Sequence, residues 1–430
     1  MKLLNYNSNN FWESLDKHLS LREEETNFKI DVDVKKIIED VKKYGDDKII
    51  QFARDFDDIL LLKNKIKISD LKKFYSLDSL NKDTINSFRI AISNVKNYHE
   101  RQFPKDYEIN NNHTRLKSIW KPMDSVGLYI PGGKAVYPSS LIMSVIPAQI
   151  AGVNRIACVT PPSNNLNPYV AFLLDELNIK EVYQVGGAQA IAALTFGTQT
   201  IKPVNKIFGP GNAYVASAKK QVFGKVGIDL IAGPSEIIVV ADDSNNPEWV
   251  ASDLMAQAEH DENAQSILIT NSNVFSNQVL SHIKNLLKKL SKKETINKSL
   301  QKNGLIIEMK ELSSSHKIIN YIAPEHLHLQ AKEKEVILNK VNNVGGIFLG
   351  DYSSEAFGDY VVGTNHVLPT SGAAKFSSGL GVIDFMKKTS LVEVKKLGFD
   401  QLAVHVENIA DVESLDAHKL SVKIRQTKKN

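Results

Sequence analysis

The sequence predicts an α/β fold made of two Rossmann-like, incomplete parallel-sheet modules plus a small C-terminal helical tail. Two observations carry this. Short apolar runs alternate with helix-length stretches from Val126 to Phe223, and the alternation restarts at Glu236 and continues to Leu349. Such alternation implies parallel strands with covering helices. A third observation marks off the end of the chain. The segment 381–430 loses the pattern and reads as two helix-like stretches with little apolar content, too small for a core of its own.

Taken in order, residues 31–57 and 84–103 read as helices with Lys/Asp-rich connectors. Residues 126–130 read as a strand, and 139–151 as a helix closed by Gly152. Strands at 155–160, 181–185 and 206–208 alternate with helices at 168–177, 187–196 and 212–223, the second of which stops at Gly197. Residues 236–241 are apolar and β-branched, as a buried strand requires. Asn246 and Pro247 suit the N-cap and first position of a helix running to about His260. Strands at 266–270, 305–308, 326–330 and 346–349 complete the second series. The predicted domains are 24–128 with 236–380, an α/β unit that includes the N-terminal helices, and 129–235, a second α/β unit. A small N-terminal segment, 1–23, and the tail, 381–430, remain outside them, and such a tail usually packs on another subunit.

At 430 residues the chain can bury a large core in two or more domains. Its 42% hydrophobic and 24% charged content is that of a globular protein. The net charge is +4 and no Arg-rich run carries interleaved aromatics, so no nucleic-acid partner is indicated; Lys428 and Lys429 read as a solvated end. Cys158 is the one cysteine, so no internal disulfide can form and a reducing compartment fits. Its apolar surroundings mark a buried structural thiol rather than a nucleophile. The N-terminus lacks a signal-peptide core and no run of 18 apolar residues exists, so a cytoplasmic protein without a membrane span is expected.

Two short motifs carry the chemistry. Gln257-Ala-Glu-His260 puts a carboxamide and an imidazole three residues apart on one helix face, where both can reach one metal ion. Pro324-Glu325-His326 sets an acid beside an imidazole. Neither group suits a core unless it is paired or at work. Asp359, in the loop 355–360, and His418 are further candidate ligands. Histidine and carboxylate suit zinc, whereas a glutamine oxygen is an unusual ligand. Alone, Gln-x-x-His also fits a polar helix face. No HExxH motif is present, and one cysteine excludes a multi-thiolate zinc site. His326 can act as a base near neutral pH, and Glu325 can activate water if burial raises its pKa. In an extended segment the two side chains would face apart, so they can serve one substrate only around a turn, which Pro324 favours. His328 alternates with His326 and reads as part of the strand.

Glycine-rich turns lie at three predicted strand ends, at Pro131-Gly-Gly133, Gly186-Gly-Ala-Gln189 and Gly209-Pro-Gly-Asn212. Such turns let backbone amides approach a pyrophosphate, but none is the G-x-G-x-x-G fingerprint. Nucleotide binding and plain turn chemistry are both open on these residues alone.

In order along the chain, Pro131-Gly-Gly, Val185-Gly-Gly-Ala-Gln-Ala-Ile-Ala-Ala, Lys206-Ile-Phe-Gly-Pro-Gly-Asn-Ala, Ala232-Gly-Pro-Ser-Glu236, Ala256-Gln-Ala-Glu-His260, Pro324-Glu-His-Leu327 and Gly363-Thr-Asn-His-Val-Leu-Pro-Thr370 resemble the histidinol dehydrogenase family. Glu413 and Ala417-His418-Lys419 complete a resemblance that spans roughly residues 25–425. It implies oxidation of L-histidinol through L-histidinaldehyde to L-histidine, the last step of histidine biosynthesis, with NAD+ and one Zn2+ per subunit. It implies zinc ligation by Gln257, His260, Asp359 and His418, and acid/base catalysis by Glu325 and His326. It implies substrate contacts at Ser235, His366 and Glu413, beside the zinc ligands and His326, and NAD contacts at Tyr129, Gln189 and Asn212. The unit 129–235 would then bind NAD and the other α/β unit would carry most zinc and catalytic residues. A homodimer whose tail crosses to the partner is also implied. Glu413 and His418 lie about 140° apart on an ideal helix, so one straight helix would not aim both at one site. Two rival readings use the same motifs. One is a zinc hydrolase with Glu325 activating a zinc-bound water, and the other a non-catalytic metal- or nucleotide-binding protein.

Overall fold

Three sheets organise the computed structural model, which describes residues 1–20, 28–132, 137–231 and 233–426. Gly133, Ala232, Lys428, Lys429 and the predicted domain start at 24 lie outside the described residues. The first sheet has five parallel strands in the order Glu181–Gln184, Arg155–Thr160, Ser125–Tyr129, Lys206–Phe208, Gly227–Ile228. This is the Rossmann order short of its sixth strand. Side chains alternate between two buried layers. Val126, Leu128 and Cys158 pack with Leu141, Val145 and Phe172 on one face. Tyr129, Ala157, Val159 and Ile207 pack on the other with Ile191, Leu194, Val34 and Ile49.

The second sheet has six parallel strands in the order Lys2–Asn5, Leu305–Glu308, Gln265–Thr270, Glu236–Val240, His326–Leu329, Gly346–Leu349. Glu236–Val240 is buried throughout because Ile238 and Val240 join one apolar layer and Ile237 and Val239 the other. In each sheet the chain builds outward one way, returns to the centre and continues the other way. These reversals lie between Ser125–Tyr129 and Lys206–Phe208, and between Glu236–Val240 and His326–Leu329. The third sheet is antiparallel, in the order Met386–Val394, Thr114–Pro122, Tyr107–Asn110.

Several sequence-based expectations need correction. The 31–57 helix is two, Phe28–Tyr44 and Asp46–Asp57, broken at Gly45 with φ 58°. The strands Lys2–Asn5, Tyr107–Asn110, Thr114–Pro122 and Met386–Val394 lacked an apolar run to announce them, since most of their residues are partly or fully exposed. The domain limits also shift. Ser125–Tyr129 is the central strand of the five-stranded sheet, so that unit starts before 129. The helices Phe28–Tyr44 and Asp46–Asp57 pack on the same sheet through Val34, Val41 and Ile49, not on the six-stranded one. Lys2–Asn5 is an edge strand of the six-stranded sheet, so the N-terminal segment is not separate from it. In the tail, Met386–Val394 pairs along its length with Thr114–Pro122, and the helices Lys396–Val412 and Asp416–Gln426 follow. The tail is less polar than its reading suggests, because Val392, Leu397, Val404, Ile409, Val412 and Ile424 are all exposed. Among the described residues, no helix is long and apolar enough to cross a membrane.

Asp57, at the end of Asp46–Asp57, has a buried Oδ2 without a hydrogen-bond partner. Burial raises its pKa to about 6. An acid raised in the folded state binds protons more tightly there, so its charge costs stability above that pKa and the cost fades as pH falls toward the ordinary carboxylate range. Asp57→Asn should therefore stabilise the protein by about 1–2 kcal/mol near pH 7.5 and by almost nothing near pH 4. Denaturant melts at the two pH values check this; equal gains at both would assign the effect to something other than ionisation.

Candidate active site

The chain brings its candidate catalytic groups to the amino ends of two neighbouring strands. The helix His316–Ile322 ends at Ala323, whose φ of 54° turns the backbone before Pro324. Residue 325 is a bend, and His326 begins the next strand. The bend is clamped because Gly345 N–H donates to Pro324 O at 3.0 Å and Gly346 N–H to Glu325 O at 2.8 Å. A Cβ at Gly345 would lie 2.6 Å from Glu325 O, so the close approach requires glycine. The turn that adjacent Glu325 and His326 need is thus present.

Both groups gather around Glu236. Its backbone N–H donates to Glu325 Oε2 at 3.1 Å. Ser235 also hydrogen-bonds Glu325. On the other side stands Gln257, fully buried in the helix Pro247–Ala258. Its amide group fits when the nitrogen donates to Glu236 O at 3.1 Å and to His326 Nδ1 at 2.7 Å. The opposite orientation would set the amide oxygen against the Glu236 carbonyl, which can only accept, so the first is adopted. Neutral His326 then carries its proton on Nε2. That atom is buried without a hydrogen-bond partner, with Asp359 Oδ1 3.9 Å away. Burial lowers the pKa of His326 to about 4 against the opposing pull of Asp359.

Acid is in excess here. Glu355 is 2% exposed and its Oε2 lies 3.5 Å from His326 Nδ1. Burial raises the pKa of Glu355 well above the usual carboxylate range, and Asp359, Asp253 and Glu325 add to it. Glu325 is raised in the same way, chiefly by burial. Among the described residues, no lysine or arginine pairs with Glu325, Glu355 or Asp359. Buried carboxylates without a cation are costly, so the cluster suits a positive ligand. His260 lies two residues past the end of its helix, and burial lowers its pKa against the opposing pull of Asp359 and Glu259. His366 accepts position from both sides, with Nδ1 2.9 Å from Asp359 O and Nε2 3.2 Å from Ser140 Oγ. Among the described residues, no group of three or more His, Cys, Asp or Glu is arranged to hold a metal. Gln257, His260 and Asp359 thus supply one amide, one imidazole and one carboxylate, a set that suits zinc but is one ligand short of four.

The other predicted contacts lie at the carboxyl end of the five-stranded sheet. Tyr129 OH accepts from Gly187 N–H at 3.2 Å, at the start of the helix Gly187–Phe196. Gln189 is buried beneath Gly187. Asn212 caps Ala213–Val222, accepting from Tyr214 N–H at 3.1 Å and Val215 N–H at 3.2 Å. Two helix N-termini therefore meet at the reversal of a parallel sheet, a fit for an anionic dinucleotide. The segment around His366 ties the two ends together, since Asn365 Nδ2 donates to Met143 O at 2.8 Å and Gly233 N–H to Thr370 Oγ1 at 2.7 Å.

Glu413 and His418 are not brought to this cluster by their own chain. Both are exposed on the tail, and among the described residues neither has a hydrogen bond or ion pair to Gln257, His260, Asp359, Glu325 or His326. The 140° objection is removed nonetheless. Glu413 caps Lys396–Val412, Ser414 has φ 56°, and a new helix starts at Asp416, before His418. The sequence reading missed Glu355 and Asp57. Glu355 could have been noticed as an acid in the apolar surroundings of Ala356 and Phe357, and Asp57, which adds to burial in raising the pKa of Tyr129, had no local signal.

Comparison with known proteins now decides the family. The histidinol dehydrogenase family model matches residues 20–426. The chain belongs to the histidinol dehydrogenase family. It is 46% identical to histidinol dehydrogenase from Brucella suis biovar 1, over 92% of this chain and 93% of that one. It is 43% identical to histidinol dehydrogenase from Aquifex aeolicus, over 91% and 92%. The crystal structure of histidinol dehydrogenase from Elizabethkingia anophelis superposes with a TM-score of 0.92 at 34% identity, covering 99% of this chain and 98% of that one. Membership in the histidinol dehydrogenase family makes the protein an oxidoreductase of histidine biosynthesis, and neither rival reading fits that family.

Cys158 is fully buried in Arg155–Thr160, and burial pushes its thiol pKa up. Such a thiol is a poor nucleophile. Cys158→Ala should keep histidinol oxidation within about twofold of the parent and cost about 1 kcal/mol of stability. Loss of aldehyde oxidation in a folded variant would show that the thiol takes part in the reaction.

Proposed function

We propose that the protein oxidises L-histidinol by four electrons, through L-histidinaldehyde to L-histidine, as a cytoplasmic, zinc- and NAD-dependent homodimer. The observation that supports this best is the buried acid cluster, which has no lysine or arginine partner among the described residues, set beside the unpartnered Nε2 of His326. Zinc carries a double positive charge, so it suits that field, and it can take the substrate's amine through the nitrogen lone pair. Gln257, His260 and Asp359 would hold zinc with His418 of a second copy, while Tyr129, Gln189 and Asn212 would hold NAD. When bound, zinc supplies an anchor for the substrate's amine and imidazole, and NAD+ supplies the hydride acceptor.

The chain's own groups move the protons. His326 takes the hydroxyl proton at Nε2 in the tautomer that carries its own proton on Nδ1, where Glu355 Oε2 lies 3.5 Å away. That tautomer requires the Gln257 amide to turn from Nδ1. Glu325, whose raised pKa makes its carboxylate a stronger base, takes a proton from the water that adds to the aldehyde. Ser235, His366 and Glu413 of the second copy would orient the substrate.

His326→Asn should slow histidinol oxidation by about 100- to 10,000-fold, and Glu325→Gln should slow aldehyde oxidation more than alcohol oxidation. Stopped-flow measurement with each substrate tests both assignments. Unchanged histidinol oxidation in the first, or equal losses for both substrates in the second, would overturn the corresponding role.

The crossed tail has its own test. His418→Ala and His260→Ala should each be inactive alone. After subunit dissociation and random reassociation, about half the dimers are mixed, and each has one intact site, so roughly a quarter of all sites should recover. If parent protein survives the same treatment and the mixture stays inactive, His418 serves its own subunit.

A further inference from the structure

A buried ion pair stands behind the turn Gly209–Asn212. Lys219, on Ala213–Val222, is 2% exposed, and the Asp229 side chain is 3% exposed just beyond Gly227–Ile228. The two are in direct contact through Lys219 Nζ and Asp229 Oδ1. Each makes one further hydrogen bond, and both go to the same residue. Gly209 N–H donates to Asp229 Oδ2 at 2.8 Å, and Gly209 O accepts from Lys219 Nζ at 3.0 Å. Ammonium, carboxylate and both polar groups of a single glycine therefore form a closed ring.

Gly209 itself is held tightly on the opposite side. Its φ is 112°, and a Cβ there would lie 2.2 Å from Tyr129 O. The ring thus presses the turn against the end of the central strand, beside Tyr129, and sets where Asn212 and the start of Ala213–Val222 stand. A buried ion pair is a weak source of stability, because the desolvation cost offsets the attraction. Neither charge is available to a ligand, since both are enclosed and already paired.

We propose that Lys219 and Asp229 are positioning residues that preorganise the Gly209–Asn212 turn for a dinucleotide. The inference rests on the reading that NAD binds at Tyr129, Gln189 and Asn212. Preorganisation lowers the ordering cost of binding, so the pair acts on dinucleotide affinity without touching the dinucleotide. Histidinol, bound at the other sheet's edge, should be largely indifferent to it.

The test uses the full-length, zinc-loaded protein with Lys219→Met/Asp229→Leu, which removes both charges and leaves neither orphaned. Calorimetric titration with NAD+ should show a dissociation constant raised about 10- to 100-fold, independent of salt, with KM for histidinol within about twofold of the parent. Unchanged NAD affinity in the folded double variant would overturn the proposal. A salt-sensitive loss would also overturn it, by making Lys219 a direct phosphate ligand. Should the double variant fail to fold, Lys219→Met alone, checked by melting temperature, should still weaken NAD binding at least about fivefold, and parent-like binding would overturn the proposal. Asn212→Ala is the control for the underlying reading. If it leaves NAD binding untouched, the dinucleotide does not bind at this turn and both fall; if it weakens binding while the double variant does not, only the positioning role falls.

Discussion

The active site depends on one peptide unit, the backbone of Glu236 at the amino end of the central strand of the six-stranded sheet. Its N–H fixes Glu325 and its carbonyl fixes Gln257, which in turn fixes His326. A strand end is well suited to this task. Inside a sheet both polar groups belong to the ladder alone, but at the first residue of a strand they can also meet side chains. Because Glu236–Val240 is buried on both faces, the peptide cannot shift without disturbing two apolar layers. Three functional side chains from three elements are thereby set by one rigid strand.

The same arrangement explains why the site is costly in isolation. Glu325, Glu355 and Asp359 crowd a space that lacks a lysine or arginine partner among the described residues, and burial favours the protonated forms of Glu325 and Glu355. Such an arrangement is unfavourable for the empty protein and favourable for a cation-binding one, because charge arriving with a ligand replaces the missing partner. The tail belongs to the same logic. It leaves apolar side chains exposed, and it carries a histidine and a glutamate remote from its own chain's cluster. The proposed second copy would account for both features.

How legible was this in the sequence? Most parallel strands were, because apolar runs of strand length stand out between helices; 155–160, 206–208, 305–308 and 346–349 match Arg155–Thr160, Lys206–Phe208, Leu305–Glu308 and Gly346–Leu349 to the residue, while the edge strands Lys2–Asn5 and Gly227–Ile228 were not read. The antiparallel sheet was not, since Thr114–Pro122 and Met386–Val394 are largely exposed and mix charged with apolar residues. The pairing of Phe28–Tyr44 with the five-stranded sheet was equally invisible, because an amphipathic stripe says that a helix packs and not on what. At the site, Gln257, Glu325, His326 and Asp359 were legible as polar groups in unlikely places. Glu355 and Lys219 went unread, since the roles of both lie in tertiary contacts, with His326 and with Gly209 and Asp229.

The two sheets use opposite edges, and the reason is chemical. Ligands of parallel sheets usually collect at the carboxyl ends, where loops and helix N-termini offer N–H donors to anions. The five-stranded sheet follows this, with Gly187, Gly209 and Asn212 at its carboxyl margin. The six-stranded sheet turns its amino margin to the site instead. That margin is where Pro247–Ala258 ends, so Gln257 and His260 stand at the negative end of a helix dipole, which favours a cation. One edge is thus built for an anion and the other for a cation. The segment 363–370 joins them, with His366 bonded to Ser140 on one side and to the backbone of Asp359 on the other. The proposed oxidation, in which hydride would pass from substrate to dinucleotide, would use such a junction, in which each ligand keeps its own field and the reacting carbons alone must meet.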